Sequence, residues 1–416
     1  MSASIVIMTG SHLCHNPRAL KEATSLARAG HNVVVLGAWI NSFLKELDQQ
    51  LLSSLPFNFI PVVDSTISAT RQIQQRLRRK LGSIVHQFGH IENRWQLGYA
   101  YTALRQAAFR RTADLYIAHS EQAMAVAIDL LRNGRRVGVD MEDWFSEDLL
   151  PNTRRHRPLR LLRSFERCLL KQSIYVSCPS RAMSEALAQE YRCVLPSVIY
   201  NAFHWSERKS IDGMFKDRKN QHVPSIHWYS QTLGLGRGLE DLLAALPLVE
   251  YTAEIHLRGN AVEGFKAWLL ERVPVSWRDR IAFHDLVSND ELPSRIAEHD
   301  IGFAGEMTYC RNRDLTVTNK ILHYLVAGLA IVASDTAGQR EISEQAPGAI
   351  FLYPSGNSVA LAAGLNNLLG SAETLRRAKI AALRAAKQKF CWERQESVLL
   401  ETVTHALAKQ QTHNQK

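Results

Sequence analysis

The sequence has no uncharged apolar run approaching the length that spans a bilayer. Its N-terminal stretch, Met1 to Gly10, has no basic lead-in, and its short apolar run ending at Gly10 reads as a buried strand, not a leader. These absences predict a cytoplasmic protein. Cysteine is sparse: the six (Cys14, Cys168, Cys178, Cys193, Cys310, Cys391) are scattered and never paired as CxxC. Metal-cluster spacing is therefore missing, and free reduced thiols are expected. No glycine-rich segment ends in the GK[ST] of a phosphate-binding Walker loop, and none has the GxGxxG spacing of a dinucleotide fold. No DxD-type acidic pair falls in a suitable loop. RNP-like, helix-turn-helix and zinc-finger patterns are missing too, so nucleic acid is not an expected partner despite the positive charge.

The 416 residues are 46% hydrophobic and 22% charged, the balance of a soluble enzyme, and too many for one ordinary core. The net charge of +10 concentrates in the first half, in Arg71–Lys80, in Arg105, Arg110 and Arg111, and between Arg154 and Lys171. Strand and helix patterns alternate there: strands at Ile5–Met8, Asn32–Leu36, Leu115–Ala118, Val137–Val139, Ile174–Ser177 and Ser197–Tyr200, with helices at Pro17–Ala29 and Gln122–Arg132. Strands apolar on both faces, separated by helices, imply a parallel sheet covered on both sides. The polar segment from Asn201 to Pro224 reads as a linker. Alternation restarts at Ser225–Tyr229, with helices at Gly238–Leu248 and Gly264–Arg272 and strands at Glu254–Leu257, Ile281–Phe283, Ile301–Ala304, Ala330–Ala333 and Ile350–Leu352. An amphipathic helix follows at Trp392–Lys409, then the polar tail Gln410–Lys416. The predicted class is α/β, with two Rossmann-like doubly wound domains facing a cleft, residues 1–205 and 206–390, and a C-terminal segment 391–416 that packs on the first.

Two segments carry the chemistry. Thr316 to Asp335 reads as a helix with Thr318 at its N-cap, ended by Gly328 and passing at once into a buried strand. Asn319 and Lys320 then lie in the first turn, where backbone N–H groups favour an anion. A lysine there opposes the helix dipole, so a phosphate is expected to balance it; a solvated surface lysine is the alternative. In the second segment, His227 to Glu240, a strand runs into a loop with Gly234, Gly236 and Gly238 around Arg237. Those glycines permit close approach of a ligand, and Arg237 offers a planar fork for diphosphate oxygens.

Together these segments resemble the GT-B glycosyltransferases, in particular the large retaining family four (glycosyl transferases group 1). Arg237-Gly238 stands where members carry a glycine-flanked KG, and Asn319 to Ser334 is similar to their NKLFEYLAAGLPVVAS stretch. Asn16 to Ala23, Leu26 to His31, Leu115 to His119, Val198 to Ala202 and Trp392-Glu393 extend the resemblance over nearly the whole chain. The resemblance implies that Arg237 and Lys320 bind the donor diphosphate and stabilise its growing charge. His119 would face the donor sugar, and Gly10 would lie near donor and acceptor. Gly234, Gly236, Thr318, Asn319 and Glu341 would line the donor site. It further implies a retaining, hexosyltransferase-like, metal-independent enzyme of bacterial-type surface polysaccharide biosynthesis. That enzyme would need no cofactor and would take a UDP- or GDP-linked sugar as donor and a glycan or lipid-linked acceptor.

The chain departs from the pattern where the family places acids. His323 replaces the ribose-binding acid, Leu315 falls at its partner's place, and Gln231 stands where many relatives have a second arginine. Glu306 and Asp314 are nearby acids that could substitute. A non-catalytic GT-B module binding a glycan or a partner, or a sugar-nucleotide epimerase, is the alternative function. The run Asp140-Met141-Glu142-Asp143-Trp144 reads as a solvated acidic loop, with paired carboxylates for hydrolysis as the other possibility. Arg160, Arg163, Arg167 and Lys171 recur at helical spacing beside Leu161, Leu162, Phe165, Leu169 and Leu170. Such a basic face is either solvated or, with Arg71–Lys80, placed against the anionic inner face of the cell membrane as a peripheral contact.

Overall fold

A computed structural model describes residues 2–67, 91–155 and 157–408. The basic stretch Arg71–Lys80 and the tail Gln410–Lys416 lie outside the described residues. The chain divides into two compact units, Met1–Ile199 with Glu396–Lys416, and Tyr200–Gln395. Each is a doubly wound α/β unit of the expected kind.

Among the described residues, unit 1 holds seven parallel strands: β1 Ser4–Met8, β2 Asn32–Trp39, β3 Asn58–Asp64, β4 Leu115–Ala118, β5 Val137–Asp140, β6 Tyr175–Cys178 and β7 Ser197–Val198. Their order is β3-β2-β1-β4-β5-β6-β7, and the chain reverses direction beside β1, between β1 and β4. Ile5, Ile7, Leu115, Ile117 and Val139 are buried, as an apolar strand with helices on both faces requires. The helix Pro17–Arg28 starts where predicted; Asn16 caps it by accepting from the Ala19 N–H (2.9 Å), with Pro17 at the first helical position. The helix Ser42–Leu52 and strand β3 are additions to the predicted pattern. β3 contains Pro61, a residue that argues against an interior strand, and β3 is an edge strand paired only with β2.

Unit 2 holds β8 Ser225–Leu233, β9 Glu254–Ala261, β10 Ile281–His284, β11 Ile301–Ala304, β12 Ala330–Ser334 and β13 Ile350–Tyr353, all parallel, in the order β10-β9-β8-β11-β12-β13. Period-two alternation along β8 divides its side chains. Ile226 and Trp228 enter an apolar core with Ile255, Leu257, Phe303 and Val332. Tyr229 packs on the opposite core, built from Ile321, Leu325, Ile331 and Phe390. His227 stands on that second face too, stacked on His299 with ring centroids 4.5 Å apart.

The polar segment expected as a free linker is packed onto unit 2. Arg218 is buried; it donates to the carbonyls of Glu298 (2.6 Å) and Val223 (2.7 Å) and pairs with Asp300 at 3.0 Å. Asp217 pairs with Arg258, which is also buried, and Arg295 with Asp212 (2.6 Å). A buried guanidinium is tolerated because several acceptors replace its water. At the other end of the chain, the helix Trp392–Ala408 passes from unit 2 into unit 1 at Glu396. There Arg136 donates to the carbonyls of Ala406 and Leu407, both at 2.7 Å. No helix among the described residues is long and apolar enough to cross a membrane.

Candidate functional site

In a doubly wound sheet the loops after the strands' carboxyl ends hold ligands. Three of them converge in unit 2. β8 leaves the sheet through a bulge between Tyr229 and Thr232, where Gln231 is exposed. The loop then carries Gly234, Gly236 and the exposed Arg237, whose Nη1 donates to Ser230 Oγ at 3.1 Å. Gly236 donates its N–H to Glu240 (2.5 Å), the first acid of the helix Leu239–Ala245. Gly238 has φ of 81° and sits so close to the next loop that a Cβ would lie 2.6 Å from the carbonyl of Gly305. Only glycine fits there.

The second loop follows β11. Glu306, next to Gly305, takes the Lys320 ammonium on Oε1 at 2.7 Å, and Lys320 also lies over the Trp228 ring, 5.4 Å from its centroid. The Glu306 N–H donates to Ser334 Oγ (2.8 Å), tying the loop to the end of β12. The Gly238–Gly305 contact and the Lys320–Glu306 pair thus bring the Arg237 loop and the start of the helix Asn319–Ala327 to the same loop after β11. With no ligand present, the charge that balances Lys320 comes from Glu306, fourteen positions earlier.

A third loop follows β9. Gly259 lies where a Cβ would be 2.3 Å from the carbonyl of Ser230, the residue that receives Arg237. Beside it opens a cavity of about 410 Å³ lined by Gly259, Asn260, Val262, Gly264, Lys266 and Asp285. Sequence reasoning missed this cavity; Gly259 and Gly264 flanking a strand end were the signal for it.

The helix Asn319–Ala327 behaves less simply than expected. Thr318 stands at its N-cap but makes no cap hydrogen bond, and its enclosed Oγ1 has no partner. Asn319 is exposed and accepts from Asn201 Nδ2 (2.9 Å). His323, expected to replace a ribose-binding acid, is buried: its ring stacks on Phe203 with centroids 3.9 Å apart, and Nδ1 meets Tyr229 Oη at 3.0 Å. Glu341 is also buried, on the helix Ala337–Gln345. Both can shape the site only through neighbours. Of the substituting acids, Glu306 is at the site, whereas Asp314 accepts from the Ala337 N–H (3.1 Å).

In unit 1, Gly10 follows β1 with φ of 70°, and a Cβ on it would lie 3.5 Å from Gln122. His119, after β4, has no exposed surface. Its Nε2 meets Glu22 and its Nδ1 meets Glu142 Oε1 at 2.8 Å. Burial opposes its protonation, but the charge of Glu22 and the bonds to Glu142 and Glu22 prevail and push it up to about 10. Both ring nitrogens of His119, which the resemblance sets against the donor sugar, are thus engaged by carboxylates. The supposed solvated acidic loop is this network's other half. Asp140 is buried and takes Arg18 through Nε (3.2 Å) and Nη2 (2.6 Å), while Glu142 also accepts from Asn16 Nδ2 (2.7 Å).

Among the described residues, two groups of side chains have metal-like spacing, Glu22–His119–Asp140 and His12–Cys14–Asp48. In the first, both nitrogens of His119, both oxygens of Asp140 and one oxygen of Glu22 are engaged in the ion pairs just described. In the second, His12 Nε2 accepts the N–H groups of Ile40 (2.8 Å) and Asn41 (3.0 Å), so Nδ1 carries the proton it gives Asp48 (3.0 Å). Burial and Asp48 push the Cys14 thiol up to about 12. This set is a hydrogen-bonded turn rather than a metal centre.

Residues 232–371 match the family model described as glycosyl transferases group 1. They span the Arg237 loop, the Glu306 loop and the helix that bears Lys320. This part of the chain is similar to the glycosyl transferases group 1. The whole chain has the GT-B fold of such enzymes. It superposes on HepE from Anabaena, solved with UDP and with UDP and glucose, at TM-scores of 0.68 and 0.69 and 18% identity, covering 97% of this chain and 100% and 99% of HepE. Sucrose-phosphate synthase from Thermosynechococcus elongatus (TM-score 0.65, 13% identity, 96% of this chain and 98% of that one) has the same fold. So does a UDP-forming trehalose-phosphate synthase from Burkholderia xenovorans (0.66, 13%, 98% and 99%). At such identities the likeness is one of fold. No curated protein matches the chain by sequence.

Proposed function

We propose that this chain transfers a sugar, with retention, from a nucleotide-diphosphate-sugar to a lipid-linked or polysaccharide acceptor in bacterial-type surface glycan synthesis. The observation that carries the reading is that the Arg237 loop and the helix start bearing Lys320 both meet the loop after β11 at the carboxyl edge of the unit 2 sheet, inside the segment that matches the family. Arg237 is exposed and, among the described residues, donates one N–H to Ser230, so its other N–H groups remain for diphosphate oxygens. Lys320 joins it once Glu306 releases the ammonium. The two cations oppose the charge that grows on the leaving diphosphate, the term that dominates such reactions. No protein nucleophile is needed if the leaving phosphate takes the acceptor's proton on the face it departs from. The cavity at Gly259–Asp285 suits the nucleoside, with Asn260 and Asp285 as hydrogen-bonding groups. UDP is the first nucleotide to try, since HepE is solved with UDP and UDP-glucose.

Arg237→Ala and Lys320→Ala are each expected to abolish transfer while leaving the fold intact by circular dichroism; full activity in both would refute the assignment. Calorimetry with UDP-, GDP- and ADP-sugars names the donor, and turnover unaffected by EDTA is the expected mark of metal independence. The buried His323 and the Glu306–Lys320 pair favour one second reading, a GT-B module that binds a glycan or partner without catalysis. Absence of binding to every nucleotide sugar is its signature.

Peripheral attachment to the inner face of the cell membrane is part of the proposal. Arg160, Arg163, Arg167 and Lys171 are exposed along the helix Leu159–Gln172, whose Leu162, Phe165 and Leu169 face inward. Co-sedimentation with vesicles that rises with anionic lipid content is expected; indifference to that content removes the argument.

A further inference from the structure

The charged network of unit 1 has one outlet. Arg18 and Asp140 have side chains 8% and 4% exposed, and His119 and Glu22 are 0% and 4% exposed. Glu142, at 21%, is the member that reaches the surface. It is also rigidly held, because one oxygen, Oε1, accepts from both His119 Nδ1 (2.8 Å) and Asn16 Nδ2 (2.7 Å). Its other oxygen, Oε2, makes no hydrogen bond among the described residues. Deeper in the network, Glu22 Oε1 is enclosed and also lacks a partner. With His119 protonated, the two cations Arg18 and His119 face three carboxylates, Glu22, Asp140 and Glu142. One negative charge is left over, and its accessible atom is Glu142 Oε2.

The position is a ligand-binding one by topology. Glu142 is two residues beyond β5, next to β4 and close to the reversal of chain direction between β1 and β4. A carboxylate fixed by an imidazolium and an amide spends little entropy in accepting a further hydroxyl, and a charged acceptor strengthens that bond. The same surplus charge repels an incoming anion, and a partly buried site screens that repulsion poorly.

We propose that Glu142 is the residue of unit 1 that holds a hydroxyl of an uncharged sugar ring, and that it selects against acceptors bearing phosphate or carboxylate on that ring. The inference deepens the transferase reading and rests on it for the word acceptor. A lipid-linked acceptor would then carry its phosphate away from the ring that Glu142 holds.

The test uses the full chain saturated with UDP, so that the cations of unit 2 are occupied, and two probes followed by ligand-observed NMR: methyl α-D-glucopyranoside and glucose 6-phosphate. The wild-type chain is expected to bind the glycoside in the millimolar range and the phosphate at least tenfold more weakly. Glu142→Gln should weaken the glycoside at least tenfold, narrow the discrimination below threefold and leave UDP affinity unchanged. Glu142→Asp keeps the charge but withdraws the oxygen, so it should lose glycoside affinity while still rejecting the phosphate. This second variant decides the matter if the glutamine variant fails to fold. Equal binding of the two probes by the wild type, no binding of the glycoside, or no effect of either variant overturns the proposal. Failure of UDP to bind counts against the transferase reading alone, since the two probes still report on Glu142.

Discussion

His119 in unit 1 and His227, His256 and His299 in unit 2 are all buried, yet they stand in opposite protonation states. Around His119 the carboxylates Glu22 and Glu142 outweigh burial and hold the ring charged. In unit 2 burial prevails. It pushes His299 down to about 3 despite Asp217, His284 down to about 4, and lowers His256 and His227 as well. His256 meets His284 at 2.9 Å, and neither nitrogen of the enclosed His227 has a partner among the described residues. Neighbouring imidazoles and Arg258 add repulsion to any proton that arrives. Depth of burial therefore does not set the charge of a histidine; the acids within reach do. The two clusters also differ in place. The charged one lies at the carboxyl ends of β4 and β5, where ligands bind. His227 and His256 lie near the amino ends of β8 and β9, and His299 precedes β11, beneath the packed segment of Asp217 and Arg218.

The sharpest way to break this comparison is to remove His119. His119→Ala leaves Glu22 and Glu142 facing each other without a cation, and the expected loss is about 3–5 kcal/mol in urea unfolding. A loss below about 1 kcal/mol would mean that the network is not charged as described.

The next effect is acid sensitivity. The unit 2 histidines have folded pKa values below the unfolded value near 6.5, so the unfolded chain binds more protons below that pH. Stability is complete above about pH 6.5 and falls on acidification by roughly 1.4 kcal/mol per histidine per pH unit. His119 has the opposite sign: its contribution is full below about 6.5 and disappears as pH rises through about 10. Unfolding midpoints measured from pH 4 to 10 should decline at both ends, and His227→Phe should flatten only the acid arm.

A smaller change is expected at Glu306. Glu306→Gln frees Lys320, and UDP affinity by calorimetry should rise about tenfold, roughly 1.4 kcal/mol. The smallest belongs to the basic helix: Arg160→Gln with Arg167→Gln should shift stability by less than about 0.5 kcal/mol, as solvated residues do.

Most strands of both sheets were legible because a buried parallel strand is apolar on both faces and bounded by helical periodicity. β3 was not, since Pro61 is a signal against strand that an edge position overrides. The glycine loop that carries Arg237 and the helix start that carries Lys320 were legible from glycine spacing and capping pattern. Glu142 was not, because an acidic run after a strand looks the same whether it is solvated or held by a histidine 23 positions earlier.

By itself the sequence determined what depends on neighbours along the chain: strand and helix periodicity, the Asn16 cap, the end of a helix at Gly328, and the order of the family's motifs. The tertiary structure alone decided which charges meet. It paired Lys320 with Glu306, buried His323 against Phe203 and Tyr229, enclosed Arg18 with Asp140 over 122 positions, and set Glu142 Oε1 between His119 and Asn16. Electrostatic energy depends on distance in space and on the water that burial removes, and neither quantity is written in sequence separation.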